Sequence, residues 1–153
     1  MLVRVYITMI VLLLTFINVS AQTYLRHGSS VYNEILYNWD GEKLRQGSSQ
    51  YSRIIVNWDG KNIRKGSSVY GDVLYNWDGR NLRQRSSKYS EVLYNWDGKN
   101  VRRGSSAYAN VLYNYNGKYV RKGSNPYGEI LYNIEGKIPI ALLIFLIEGD
   151  AGK

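Results

Sequence analysis

The sequence returns to the same few residues every 19 positions, and this repeat constrains the fold more than any other feature. Tyr-Asn-Trp-Asp-Gly begins at Tyr37, and variants of it follow at a constant spacing. The Asn and the Gly of the motif are present in all six copies, and the Asn occurs at Asn38, Asn57, Asn76, Asn95, Asn114 and Asn133. Because no insertion interrupts the period, we expect every unit to occupy an equivalent place in space.

Each unit contains two short candidate strands. Strand A, such as Asp-Val-Leu-Tyr-Asn at 72–76, is rich in β-branched and aromatic residues, and strand B, such as Asn-Leu-Arg-Gln at 81–84, joins an aliphatic residue to an Arg. Between A and B, Asn is suited to an Asx-turn and Gly to the left-handed position of a three-residue hairpin loop. A longer Gly-Ser-Ser loop leads from B to the next A. Helical periodicity is absent from the repeats, so they are predicted to be all-β.

The limits of the repeat indicate how the units are arranged. Residues 24–137 hold six units of 19 residues, with six A and six B strands whichever phase is chosen. Pairing the first strand with the last would remove the exposed edge strands of an open stack. We therefore predict an all-β closed toroid of six hairpin repeats within a domain at 22–137. The alternative is an open β-solenoid, in which Tyr24 and Asn133 would lie far apart rather than within strand-pairing distance.

An apolar segment follows the repeats at 138–153. Residues 140–147 are eight consecutive apolar residues, too few to span a bilayer. Periodicity cannot separate a buried strand from a buried helix in so short a run, but Pro139 at its start favours a short helix. A helix that is apolar all round must be buried all round. We expect this segment to be a plug at the centre or mouth of the toroid.

The N-terminal residues 1–21 have the pattern of a secretory signal peptide. Arg4 precedes an apolar run, and Val19, Ser20 and Ala21 provide small residues for cleavage after Ala21. An uncleaved membrane anchor is the less favoured interpretation, because the run is short for a span. With no cysteine, the chain has neither disulfides nor a lipid-bearing Cys. These features predict a secreted or periplasmic protein that is not transmembrane after cleavage.

The mature chain is basic. Removing Arg4 leaves 19 basic and 12 acidic residues, a net charge of +7. A solvated basic surface is the simpler interpretation, and a preference for acidic or phosphorylated glycans or an anionic membrane surface is the alternative. An exported protein meets these partners before it meets nucleic acid, so no nucleic-acid partner is expected.

Catalytic chemistry has little support in the sequence. His27 is the single histidine, no cysteine is present, and the repeated Ser residues therefore have no His for a catalytic triad. The repeated Asp residues occupy equivalent places, which argues against separate acid and base roles. Each turn offers at most one acid beside its Asn, and Asn116 replaces the acid in the fifth turn, so the oxygen ligands are too few for calcium. We predict a non-catalytic protein with no cofactor and no metal.

Two sets of repeated residues are candidate ligand contacts. The aromatic set lies between the Asn and the Asp of each motif and is expected at the hairpin tips, with Tyr115 and Ile134 at the same place in the last two units. It could stack on sugars or pack between neighbouring hairpins, and Ile134 favours packing. The Arg ladder is the Arg of each strand B: Arg26, Arg45, Arg64, Arg83, Arg102 and Arg121. It could form a ring that binds an anion, or it could pair with nearby acids, incompletely because Asn116 and Glu135 replace the fifth and sixth Asp. The candidate contacts are Trp39, Trp58, Trp77, Trp96, Arg45, Arg64, Arg83 and Arg102.

The turn Gly, the Asn-x-Asp-Gly spacing and the Arg of strand B together resemble the β-flower repeat family, over residues 24–137. Members are secreted or envelope bacterial proteins in which β-hairpin petals surround an axis, so the resemblance implies this fold and carries over no catalytic role. The chain departs from the pattern at Arg85, where the other units have Gly. We expect a structural scaffold or interaction module of the bacterial envelope or exterior, with envelope glycans or another envelope protein as partner. A glycan-binding module that uses the tip aromatics and the Arg ladder is the alternative.

Overall fold

The computed structural model describes residues 21–149, which form twelve strands and one helix. The predicted signal peptide, apart from Ala21, and the last residues of the tail, 150–153, lie outside the described residues. The strands are β1 (Thr23–His27), β2 (Ile35–Trp39), β3 (Lys43–Gln46), β4 (Ile54–Trp58), β5 (Asn62–Lys65), β6 (Val73–Trp77), β7 (Asn81–Gln84), β8 (Val92–Trp96), β9 (Asn100–Arg103), β10 (Val111–Tyr115), β11 (Tyr119–Lys122) and β12 (Ile130–Glu135). The helix is α1 (Ile140–Glu148).

The twelve strands form one closed antiparallel barrel in which every strand pairs with its neighbours in sequence. The first and last strands close it, with Tyr24 opposite Glu135, Leu25 opposite Ile134 and Arg26 opposite Asn133. The predicted closed toroid is therefore confirmed, and the open solenoid is wrong. Closure leaves no strand edge of this sheet unpaired, which removes the usual route to edge-to-edge aggregation.

The two ends of the barrel carry different connections. At one end, the turn end, three-residue turns such as 40–42 join strand A to strand B, with Gly41 at a φ of 101°. At the other, the loop end, each B strand leads to the next A strand through seven residues. These loops are 28–34, 47–53, 66–72, 85–91, 104–110 and 123–129. All six lie at one end because successive strands run in opposite directions.

The strand register sorts the side chains into an inner and an outer set. Leu44 lies opposite both Trp39 and Val56, and these three side chains are buried in the core. Asn38 lies opposite Arg45 in the alternate positions, which face away from the core. A register shift recurs where each B strand meets the following A strand. Such bulges increase the local twist that a closed barrel needs.

The apolar C-terminal run is a helix, as predicted, and it lies inside the barrel. Ala141 to Leu146 are between 0 and 8% exposed, so the helix is covered on all sides. These residues belong to one hydrophobic cluster with the aliphatic residue of every B strand: Leu25, Leu44, Ile63, Leu82, Val101 and Val120. Nine helical residues are about 14 Å long, close to the length of a five-residue strand, so the plug matches the height of its wall.

Polar contacts anchor the helix at both ends. The Thr23 hydroxyl contacts the backbone N–H and carbonyl of Lys137, at 2.9 and 2.8 Å, and so holds the segment that leaves β12. At the far end the Tyr94 hydroxyl donates to Glu148, at 3.2 Å. Helix α1 therefore enters at the turn end and runs toward the loop end.

Arg85 occupies a backbone conformation that suits Gly. Its φ is 61°, and the Gly residues at the same place in the other five units have φ between 66° and 72°. A side chain in this region costs about 1–2 kcal/mol, of which the flexibility of Gly in the unfolded chain returns a part. We predict that Arg85→Gly raises the free energy of unfolding by about 0.5–1 kcal/mol, measured by chemical denaturation.

Gln84→Gly is the matched control, because Gln84 is the neighbouring residue in strand β7 and is not among the residues with positive φ. It should lower the free energy of unfolding by about 0.5–1 kcal/mol. A loss of stability in both variants would contradict the assignment of strain to Arg85.

Candidate functional site

The repeated Asn fastens the long loop of its own hairpin. The side-chain amide of Asn76 donates to the carbonyls of Arg85 and Ser87, at 2.6 and 3.2 Å, and the same pair of bonds recurs in every unit. Asn133 makes its pair with Gly28 and Ser30, across the closure of the barrel. The Asx-turn predicted for this Asn is wrong, since its side chain reaches the loop and not the adjacent turn.

The Asp two residues later makes the turn instead. Asp78 accepts hydrogen bonds from the backbone N–H groups of Arg80 and Asn81, at 2.9 and 2.7 Å. Its other carboxylate oxygen forms an ion pair with Arg83. The same arrangement joins Asp40 to Arg45, Asp59 to Arg64 and Asp97 to Arg102. The four candidate Arg residues are therefore paired within their own hairpins, which favours the structural interpretation of the Arg ladder.

The two turns without Asp differ from each other. Glu135 of the sixth turn pairs with Arg26 at 2.8 Å, which extends the ladder across the barrel closure. In the fifth turn Asn116 keeps both backbone hydrogen bonds but brings no charge. The guanidinium of Arg121 instead lies 4.9 Å from the ring centre of Tyr119. Within residues 21–149, Arg121 is the member of the ladder with no acidic partner.

The turn carboxylates should make stability depend on pH. Burial alone would raise the pKa of Asp78, but hydrogen bonds from Arg83 and the turn backbone hold it well below the usual range. Asp40, Asp59 and Asp97 have pKa values lowered in the same way. A lowered folded-state pKa stabilises the protein above the unfolded pKa of about 3.9, and this contribution is lost as the pH falls. We predict that the melting temperature falls progressively below about pH 5.

Asn116 shows that Asn fits this turn, so replacing all four Asp by Asn removes charge while keeping the turn. This variant should melt lower than the parent at pH 7 and show a flatter decline toward pH 2. The matched control removes four loop carboxylates that have no ion pair within residues 21–149: Glu34, Asp72, Glu91 and Glu129. An equally flat decline in the control would contradict the role of the turn Asp.

The Trp residues end the A strands and belong to the core side of the wall. Trp39 is 5% exposed, while Trp58, Trp77 and Trp96 are half-buried against the central cluster. They do not lie at the hairpin tips, because the three-residue turns follow them. This position favours packing over sugar stacking. A ligand-binding role for these residues and for the candidate Arg residues stays a prediction.

The exposed aromatic residues are a different set, the tyrosines of the long loops. Their side chains are between 85 and 98% exposed, and one lies on each loop at the loop end. We call this set the tyrosine ring: Tyr32, Tyr51, Tyr70, Tyr89, Tyr108 and Tyr127. Their 19-residue period was visible in the sequence, but their direction was not.

The Ser residues of the loops hold the tyrosine ring in place. The backbone N–H of Tyr70 donates to the hydroxyl of Ser68 at 3.1 Å, and the backbone N–H of Gly71 donates to the Ser68 carbonyl at 3.0 Å. Each unit repeats the first bond, with Asn125 in place of Ser in the sixth loop. The hydrogen bonds of the Asn side chain to the loop carbonyls and of the tyrosine N–H to the Ser or Asn side chain thus fix each loop, and its tyrosine faces solvent.

No three His, Asp or Glu side chains are grouped to hold a metal ion within the part of the chain that the structure describes. The helix described here is also too short to cross a membrane.

A closed barrel of six like hairpins around a central axis places the chain among all-β proteins built from petals. The model of one family, described as 6-fold beta flower protein, matches residues 25–143, and the chain belongs to this family. No curated protein and no solved structure matches the chain.

Proposed function

We propose that the protein is an exported, non-catalytic interaction module of the bacterial envelope or exterior, which binds glycans through the tyrosine ring. The observation that carries the proposal is the near-complete exposure of six tyrosines at equivalent places around one end of the barrel. Large aromatic side chains are usually covered. Here the hydrogen bonds from the Asn side chain and to the Ser hydroxyl instead hold each loop so that its tyrosine is exposed.

The arrangement favours a repetitive ligand over a folded protein partner. A stable protein interface buries a contiguous patch of about 800 Å² on each partner. The tyrosines are instead distributed one per loop, and each loop also carries at least one Ser. A tyrosine offers an apolar face and a polar hydroxyl, which suits a sugar ring. Several weak contacts to one polymer can raise the overall affinity by about 10²–10⁴.

Export rests on the N-terminal sequence. The basic residue, the apolar run and the small residues before Ala21 are typical of a cleaved signal peptide. A chain without cysteine does not need an oxidising compartment to fold, and the closed barrel with its internal helix supplies the stability that disulfides give many small exported proteins.

The test is retention of the purified protein on an array of bacterial and host glycans. Replacing all six ring tyrosines by Ser should reduce retention at least tenfold and leave the melting temperature within a few degrees. Replacing them by Phe keeps the stacking face and should keep most of the retention. Absence of retention by the parent protein, or equal retention by the Ser variant, would contradict the proposal. In the first case a protein partner becomes the better explanation of the tyrosine ring.

A further inference from the structure

A cavity of about 920 Å³ opens at the loop end between the helix and one side of the barrel. Its wall comes from strands β4 to β7 and the loops beside them, and Phe145 of α1 contributes the central side. Small-molecule sites have volumes of about 300–1,000 Å³, so the cavity is large enough for a ligand of one to three sugar-sized rings.

Three departures from the repeat line this single cavity. Val56 stands where the other five units have Tyr, and Arg85 where the other five have Gly. Arg53 is the third, at a position occupied elsewhere by Glu34, Asp72, Glu91, Asn110 and Glu129. Their sequence positions are scattered over 33 residues, yet the fold brings them to one place. The cavity therefore lies where these residues depart from the sixfold repeat, on the side of the barrel formed by the second to fourth units.

Each departure changes the cavity in the direction that an anionic ligand requires. Val56 lines the cavity and is smaller than Tyr, so it takes up less of this part of the wall than the Tyr of the other units does. Arg53 replaces an acid or Asn by a cation. Arg85 adds a second cation although its backbone is strained there, and strained residues are concentrated at functional sites.

The lining combines unpaired cations with aromatic faces. Arg53, Lys65 and Arg85 have no ion pair among residues 21–149, and with Asp72 they give the lining a net charge of +2. Tyr75 and Phe145 line the same cavity with ring centres 5.9 Å apart. Guanidinium groups bind carboxylates and phosphates through paired hydrogen bonds, and aromatic faces hold a ring.

We propose that the cavity binds a small ring-bearing organic anion, with Arg53, Lys65 and Arg85 on its carboxylate or phosphate and Tyr75 against its ring. This site is separate from the tyrosine ring and would be occupied by one small molecule rather than a polymer. Carboxylate and phosphate share the chemistry that the cations recognise.

The test is isothermal titration of the purified protein with glucuronate, glucose 6-phosphate and neutral glucose at low salt. At least one anion should bind, and glucose should bind at least tenfold more weakly. Binding of glucuronate alone identifies a carboxylate ligand, and binding of glucose 6-phosphate alone a phosphate ligand. Absence of binding by both anions, or equal binding of glucose, overturns the proposal.

Two variants that restore the repeat locate the site. Arg85→Gly and Val56→Tyr should each weaken anion binding at least tenfold, the first by removing a cation and the second by filling the space. Arg80→Gln removes the same charge from the turn end and should leave binding unchanged. Unchanged binding in both restoring variants overturns the proposal. Arg85→Gly is expected to be more stable than the parent, so its loss of binding cannot come from unfolding.

The variant with all six ring tyrosines replaced by Ser separates this proposal from the one for glycans. It should keep anion binding while it loses retention on the array. Loss of anion binding in that variant, with the melting temperature unchanged, overturns a separate site in the cavity.

Discussion

Deletion of residues 138–153 is expected to leave the chain without a cooperative thermal transition. Six residues of the removed helix are almost completely buried, and the strands around them would face an empty lumen. Truncating one buried Leu or Ile typically costs about 2–5 kcal/mol, whereas the whole stability of a domain is about 5–15 kcal/mol. Circular dichroism during heating measures the effect. An unchanged melting temperature would mean that the barrel is stable by itself.

A point variant makes the same test without removing chain. Leu143 is fully buried, and Leu143→Ala should lower the free energy of unfolding by about 2–5 kcal/mol. Val69 is 59% exposed on a loop, so Val69→Ala is the control and should change stability by less than about 0.5 kcal/mol. Equal effects of the two substitutions would argue against a packed core around the helix.

Trp39→Ala is expected to lower the free energy of unfolding by about 3–5 kcal/mol, because this side chain is buried in the central cluster. Trp77 is only half-buried, and Trp77→Ala should cost less. Chemical denaturation measures both. If the Trp residues served as sugar platforms instead, these variants would keep their stability and lose retention on the glycan array.

Tyr70→Ala provides the comparison on the solvent side of the same unit. Tyr70 is 94% exposed, so its loss should change stability by less than about 0.5 kcal/mol. Opposite ordering, with Tyr70→Ala more damaging than Trp39→Ala, would reverse the roles assigned to the two sets of aromatic residues.

The architecture was predictable from the repeat alone. A constant period with six copies of each strand leaves few arrangements, and closure is the one that removes both edges. The helix was also predictable, since Pro139 precedes an apolar run that only an enclosed position can bury. Both inferences rest on the period or the hydrophobicity of whole segments, and these properties can be calculated from the sequence without knowing any contact.

The directions of individual side chains were harder to predict. Trp39 and Tyr37 are two residues apart on one strand, so alternation places both on the same face, and this was the available signal that Trp39 faces inward. Tyr51 lies in a loop, where no alternation applies. The sequence also shows Val56 and Arg85 as exceptions, but their meeting at one cavity depends on strand register and on Phe145.

The central helix limits how many repeat units the barrel can contain. The diameter of a closed barrel grows with the number of its strands. A barrel of seven units would have a lumen wider than one helix, and a barrel of five units would be too narrow to hold that helix. The nine residues of the helix, Ile140–Glu148, thus require a barrel lumen of one fixed width. Single substitutions outside the buried core leave this lumen intact, so those positions can diverge one residue at a time while the number of units stays constant.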